Sequence, residues 1–145
     1  MIVQDILKKK SSEVLTIHAQ QSLLEASQIL AANNIGALVV VDDLKAPVGI
    51  LSERDIVRQL AQHHESTGAL SVGDVMTTAV VIALPDDDIA YLSNTMTNKR
   101  IRHLPVLHDG ELVGIVSIGD VVKAQLDLYE GEVHSLQQYI AGGYA

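Results

Sequence analysis

Cysteine, tryptophan and phenylalanine are absent from this chain of 145 residues, and four tyrosines are all that stand in their place. Without Cys there is no disulfide framework, no thiol nucleophile and no zinc ribbon. Positive charge is also scarce. Ten Lys and Arg against eighteen Asp and Glu give a formal charge of −8, which works against non-specific nucleic-acid binding because that needs a positive field. No apolar run approaches the ~20 residues of a membrane span. The opening Met1-Ile2-Val3-Gln4-Asp5 lacks the basic-then-apolar layout of a secretory leader. The expected setting is soluble and cytoplasmic, with neither nucleic acid nor membrane as partner. What is plentiful is aliphatic: 48% of residues are hydrophobic, too many for a disordered chain, and the core must be built from Val, Ile, Leu and Ala.

The chain repeats itself, and a repeat governs the whole fold. Val48-Gly49-Ile50-Leu51-Ser52-Glu53-Arg54-Asp55-Ile56-Val57 aligns with Val113-Gly114-Ile115-Val116-Ser117-Ile118-Gly119-Asp120-Val121-Val122 at an offset of 65 residues, Asp55 to Asp120. Ile35-Gly36-Ala37-Leu38-Val39-Val40-Val41 aligns with Ile101-Arg102-His103-Leu104-Pro105-Val106-Leu107 at an offset of 66, Ile35 to Ile101. One extra residue in the turn around Asp43-Leu44-Lys45-Ala46 accounts for the slip. Leu23 and Leu30 match Ile89 and Met96, and Asp5-Ile6-Leu7 matches Asp74-Val75-Met76, with three residues gained around Lys8 to Ser12.

Both copies obey one grammar, β-α-β-β-α. A helical stretch (Gln21 to Asn33, Asp87 to Lys99) carries apolar residues near helical spacing. Apolar strands follow at Leu38 to Val41 and Leu104 to Leu107, then at Val48 to Leu51 and Leu112 to Val116, with a tight polar turn His108-Asp109-Gly110-Glu111 in the second copy. A second helix closes each copy, Glu53 to His63 and Gly119 to about Leu128. The expected division is 1–64 for the first copy, 65–70 for a linker, 71–130 for the second copy and 131–145 for a tail. One copy of about sixty residues buries little apolar surface alone, and strands apolar on both faces need cover on both sides. The expected α/β (α+β) fold therefore packs the copies around a pseudo-twofold axis, sheets facing and helices outside, with symmetric clefts between them for a ligand.

Gly-hydrophobic-hydrophobic-Ser-x-x-Asp at the end of each copy, together with the Leu104-Pro105-Val106 strand, resembles a tandem pair of CBS domains, the modules named after cystathionine β-synthase. The resemblance runs from about Val3 to Leu128. The first copy has Leu38-Val39-Val40 where the second has its proline. The tail Tyr139-Ile140-Ala141-Gly142-Gly143-Tyr144 is similar to the end of a stand-alone bacterial-type subgroup. The resemblance implies a regulatory module that senses adenine nucleotides and performs no chemistry, a homodimer, and a regulated partner that the sequence does not name.

Gly49 and Gly114 lie in apolar strands, where a missing side chain lets a backbone or flat ring approach. Ser52 and Ser117 stand at strand-to-helix junctions with Asp55 and Asp120 three residues on. Ser-x-x-Asp alone is a capping box, but a cap needs no glycine, and this arrangement occurs twice. As a ligand site, the carboxylate accepts the two ribose hydroxyls, while Ser and the helix-start amides attract phosphate. By resemblance, adenine lies against Ile50 or Ile115 and the opposite copy's strand entry, Ile35-Gly36 or Ile101. Backbone of Ser11 to Leu15 and of Thr77 to Val81 meets the base edge. Arg102 and His103 point at phosphate at one site, Arg54 at the other. Unequal phosphate arms imply unequal ligands, AMP or ATP at one and a dinucleotide such as NAD(H) at the other, with no metal required. The alternative reading is a dimerisation scaffold whose clefts hold no physiological ligand.

Other signals carry less. Adjacent His63 and His64 project about 100° apart on a helix and no ligand set completes a metal site. Asp86-Asp87-Asp88 suits a helix start, where negative charge is favoured. Ser, His and Asp form no nucleophile elbow or carboxylate pair. Lys8-Lys9-Lys10 reads as surface, within possible reach of ligand phosphates. In the tail, Leu128, Val133, Leu136, Tyr139 and Ile140 make an apolar helix face suited to a partner subunit.

Overall fold

Local capping and alternation set the element boundaries in this chain. The structure, a computed structural model, describes residues 1–10 and 13–142. Helix α1 (Val3–Lys9) buries Val3 and Ile6, and Asp5 accepts the Ile2 N–H at 2.9 Å, satisfying an amide that a helix start leaves unpaired. Strand β1 (Thr16–His18) turns Ile17 inward. Helix α2 (Leu23–Asn33) begins at Ser22, whose hydroxyl accepts the Glu25 N–H at 3.1 Å, and buries Leu23, Ala26 and Leu30. Strand β2 (Ala37–Val41) is buried at every position, as a strand covered on both faces must be. Strand β3 (Pro47–Ser52) pairs antiparallel to β2, with a register shift between Val40 and Val41 that absorbs the extra residue of this turn. Helix α3 (Glu53–His63) follows directly.

The stretch expected to link the copies is an ordered 3-10 helix, His64–Ala69. It packs on α2 and α3, and buried Thr67 donates its hydroxyl to the Gln59 carbonyl at 3.2 Å. Helix α4 (Val72–Val75) is one turn long. Helix α5 (Ile89–Lys99) buries Ile89, Leu92 and Met96. Its acidic run works as a helix start: Asp88 accepts the Ala90 N–H at 2.7 Å and Asp87 accepts the Leu84 N–H at 2.8 Å. Strands β4 (His103–His108) and β5 (Glu111–Ser117) pair as a two-stranded sheet. Asp109 and Gly110 join them with φ of 51° and 80°, the two positive values a tight hairpin turn requires. Helix α6 (Ile118–Gly142) then runs for 25 residues. The break expected near Leu128 does not occur. Gly131 is the one glycine away from the ends of α6, and one glycine costs a helix only about 1 kcal/mol.

The duplication is visible in the backbone. Asn34 and Arg100 end α2 and α5 in the left-handed region, with φ of 52° and 55°. In each case the next N–H, of Ile35 or Ile101, returns to the helix at 3.1 Å, to Leu30 or Met96, a cap that closes six residues into one ring. In the first sheet Ile17 pairs parallel with Val40. In the second copy that strand shrinks to a single parallel bridge, Ala83 to Val106, with both residues shifted by the same 66 positions.

Packing does not follow the copies. One compact unit comprises Met1–Ser11, Leu84–His103 and Val116–Ala145; the other comprises Ser12–Ala83 and Leu104–Ile115. In the second of these, the leading segment of copy two joins the elements of copy one. Val72 donates to the Gln21 carbonyl and Leu23 to the Leu70 carbonyl, both at 2.8 Å. Thr77 bridges antiparallel to Ile50 on β3, and Val72 enters the core with Ile17, Leu23, Leu38 and Leu51. In the other unit the leading segment of copy one serves copy two. Val3 donates to the Asp87 carbonyl at 2.9 Å and Ile89 to the Met1 carbonyl at 3.2 Å, while α1 and α5 both pack on α6.

Candidate functional site

The first Ser-x-x-Asp motif sits where β3 becomes α3. Asp55 Oδ2 accepts the Ser52 N–H at 2.8 Å and the Ser52 hydroxyl at 3.0 Å, and the Asp55 N–H donates back to that hydroxyl at 3.3 Å. The capping box is thus real, and it fixes the carboxylate at the helix start. Ser52 and Asp55 are half-buried and Arg54 is exposed. The strand entry of the same copy lies alongside, since the Glu53 N–H donates to the Gly36 carbonyl at 2.9 Å.

Gly49 has a structural reason of its own. A Cβ there would stand 2.5 Å from Met76 Sδ and 3.1 Å from the Thr77 carbonyl, so the absent side chain admits the incoming segment. Thr77 donates to the Ile50 carbonyl at 2.9 Å and accepts the Ile50 N–H at 3.0 Å. The Thr77 backbone, expected to serve a base edge, is thus paired with β3 on both its N–H and its carbonyl. Leu15 and Ile35 are half-buried and pack against the core of their unit. Ile35 also lines a groove of about 280 Å³ between α2 and α3, with Leu30, Glu53, Ile56 and Val57; Asp55 is not on its wall.

The second motif repeats the geometry with one addition. Asp120 Oδ2 accepts the Ser117 N–H at 2.9 Å, and the Asp120 N–H donates to the Ser117 hydroxyl at 3.1 Å. Ile118 donates to the Arg102 carbonyl at 2.8 Å, which brings Ile101, Arg102 and His103 to the start of α6. Arg102 is exposed; Ile101, His103 and Ile115 are half-buried. The addition is Lys10, whose Nζ lies 2.7 Å from Asp120 Oδ2. Burial tends to raise the Asp120 pKa, yet the hydrogen bond from Lys10, followed by that from the Ser117 amide, outweighs it and holds the carboxyl below its ordinary value. Sequence reasoning read Lys10 as part of a surface basic run within reach of ligand phosphates and did not pair it with Asp120. Ser11, also among the expected ligand contacts, lies outside the described residues. Among the described residues no group of His, Asp and Glu is arranged to hold a metal ion, and no helix is long and apolar enough to cross a membrane.

Comparison with known proteins agrees with this layout. The CBS-domain family profile matches residues 3–62 and 72–127. The chain is 34% identical over 150 aligned positions to the mitochondrial CBS domain-containing protein CBSX3 of Arabidopsis thaliana, covering 98% of this chain and 73% of that protein. A crystal structure of a CBS-domain-containing protein from Agrobacterium tumefaciens superposes with a TM-score of 0.82 at 40% identity, covering 86% of this chain and 92% of the other. The CBS-domain pair of protein MJ0100, solved in complex with 5′-methylthioadenosine and S-adenosyl-L-methionine, gives a TM-score of 0.77 at 32% identity over 91% of this chain and 98% of its own.

Proposed function

Because the chain belongs to the CBS-domain family as a tandem pair, we propose that it is a regulatory adenine-nucleotide-binding module without catalytic activity. The observation that carries this reading is the pair of carboxylates, Asp55 and Asp120, each held at a helix start by the amide of its own serine at 2.8 and 2.9 Å. A fixed carboxylate at a helix start, where the dipole favours negative charge, suits a ribose diol with a phosphate attached. The ligands proposed are AMP or ATP, with NAD(H) as a second candidate. A structural relative holds two other adenosine derivatives, which supports the adenosine half as the common element.

At the first site the proposed contacts are Ser52, Arg54, Asp55 and Ile50, with Val81 for the base edge. At the second they are Ser117, Asp120, Ile115, Arg102 and His103. Ile35, Gly36, Ile101 and Leu15 complete the apolar walls. The module acts in the cytoplasm, and its effect on a partner follows only where ligand binds two of its states unequally. Isothermal titration calorimetry with AMP, ATP, NAD⁺, NADH and S-adenosylmethionine tests the reading. Binding tighter than about millimolar, roughly −4 kcal/mol, by at least one of them supports it; no binding at that level ends it.

A second reading, a dimerisation scaffold, draws on α6. Leu126, Tyr129, Val133, Leu136 and Ile140 are all more than half exposed and recur at alternating steps of three and four, the spacing of a helix seam. Self-association through this face is compatible with either reading.

A further inference from the structure

The exposed apolar seam of α6 lies on the face that its own unit does not use. Val121 and Ala124 are buried where α6 packs on α5 and α1, and Lys9 Nζ reaches Asp127 Oδ2 at 3.6 Å from that side. In a heptad written abcdefg these three α6 residues stand at c, f and b, the outer face of a coiled coil. Val122, 47% exposed, extends the seam of Leu126, Tyr129, Val133, Leu136 and Ile140 back by one step of four. The seam so formed fills three heptads, Val122 to Gly142, with Leu126, Val133 and Ile140 at a and Val122, Tyr129 and Leu136 at d. Gly131 falls at f, where a missing side chain opens no hole between strands.

Residue choice and charge together name the occupant. Branched Val133 and Ile140 at a with Leu136 at d follow the pattern of two parallel strands. An antiparallel pairing would also keep apolar layers, Val122 on the partner's Ile140, Leu126 on the partner's Leu136 and Tyr129 on the partner's Val133. At its centre, however, Glu130 would meet the partner's Glu130 and Glu132 the partner's Glu132, like charges that oppose the pairing. In the parallel register each g position meets the following e of the other strand. Gln125 then faces the partner's Glu130 and Glu132 faces the partner's Gln137, so no two carboxylates meet. We propose that α6 pairs with α6 of a second copy as a parallel, in-register, two-stranded coiled coil. This deepens the reading of α6 as a self-association face and rests on it. The pairing sets both copies' Ser117–Asp120 motifs at one end of the coil, which makes the second-motif sites of the dimer neighbours.

The absence of cysteine makes the test direct. Full chains carrying Leu126→Cys, tagged to differ in size, and Leu136→Cys are co-expressed and treated with a short bis-maleimide; Gln138→Cys, at f, is the collision control. Thermal melts establish that each variant is folded. Thiols that face each other across the seam meet at an effective concentration on the order of millimolar. Position 126 should therefore join to 126 and 136 to 136 at least about tenfold faster than the control at micromolar chain. The mixed product should form no faster than the control, because its thiols lie about 15 Å apart along a parallel pair. A dominant mixed product would overturn the parallel order and leave self-association through α6 standing. Rates at the control level for every pairing would remove both, and neither result bears on nucleotide binding.

Discussion

Met76 Sδ occupies the space a side chain on Gly49 would need, 2.5 Å from where its Cβ would be. Gly119, which stands in helix α6 where the first copy has Arg54, is open by contrast: a Cβ there would meet the Ser117 hydroxyl at an ordinary 3.6 Å.

Gly49→Ala should therefore destabilise the protein by about 1–3 kcal/mol, the range for overpacking a filled site. Met76→Ala in the same chain should recover part of that loss, because the two changes share one contact. Gly119→Ala should be neutral or slightly stabilising. Urea denaturation of the natural chain, the three single variants and the Gly49→Ala/Met76→Ala double variant measures all of this; additive losses at Gly49 and Met76 would contradict it.

The Lys10–Asp120 pair makes acid stability directional. Its carboxyl titrates below the ordinary range, so the pair stabilises the folded state above the unfolded-chain value of about 3.9. The contribution disappears as pH falls through the lowered native value. At pH 7 the melting temperature of Lys10→Met should lie below that of the natural chain by an amount equivalent to roughly 1 kcal/mol. The gap should narrow below pH 4 and close near the acid limit. A gap that holds constant with pH would mean that Lys10 contributes packing alone.

A nucleotide sensor and a scaffold respond differently to loss of the motif carboxylates. Asp55→Ala and Asp120→Ala each weaken a capping box, at about 1 kcal/mol, so the unliganded melting temperature falls under both readings. The increment added by saturating AMP or ATP separates them. A sensor should lose part of that increment with each change and nearly all of it with both, whereas a scaffold has none to lose.

Leu136→Asp on α6 should leave the melting temperature of an isolated chain almost unchanged, since Leu136 is 59% exposed. Its effect should be on sedimentation: an assembly held by this helix face should fall to monomers. An unaltered sedimentation coefficient would remove α6 from any interface.

The parts of the fold carried by local pattern were legible. Apolar spacing at Leu23, Ala26 and Leu30, the Asp-Gly turn and the offset of 65 or 66 residues each arise from neighbours in sequence, and elements stand where those signals lie. Ser52, Asp55, Ser117 and Asp120 were legible for the same reason, since each capping box closes over three residues. The exchange of leading segments was not, because Val72 and Thr77 find their partners on Gln21 and Ile50 through backbone bonds that leave no mark in composition. Lys10 was missed on similar grounds. Its partner is 110 positions away, and three residues inserted next to it break the alignment that would have flagged a difference between copies. Continuity of α6 past Leu128 went unseen because exposed apolar residues resemble a new segment more than the overhang of an old one.

A single repeat cut from this chain would leave the β3 edge at Ile50 open and its own leading segment without a site. A chain of one repeat would have to obtain the missing segment from another molecule, so its folding would be a bimolecular event that dilution could defeat. Joining two repeats in one chain turns that encounter into an intramolecular search at fixed effective concentration. Folding of a tandem chain is thereby independent of its concentration, where folding of a lone repeat would not be.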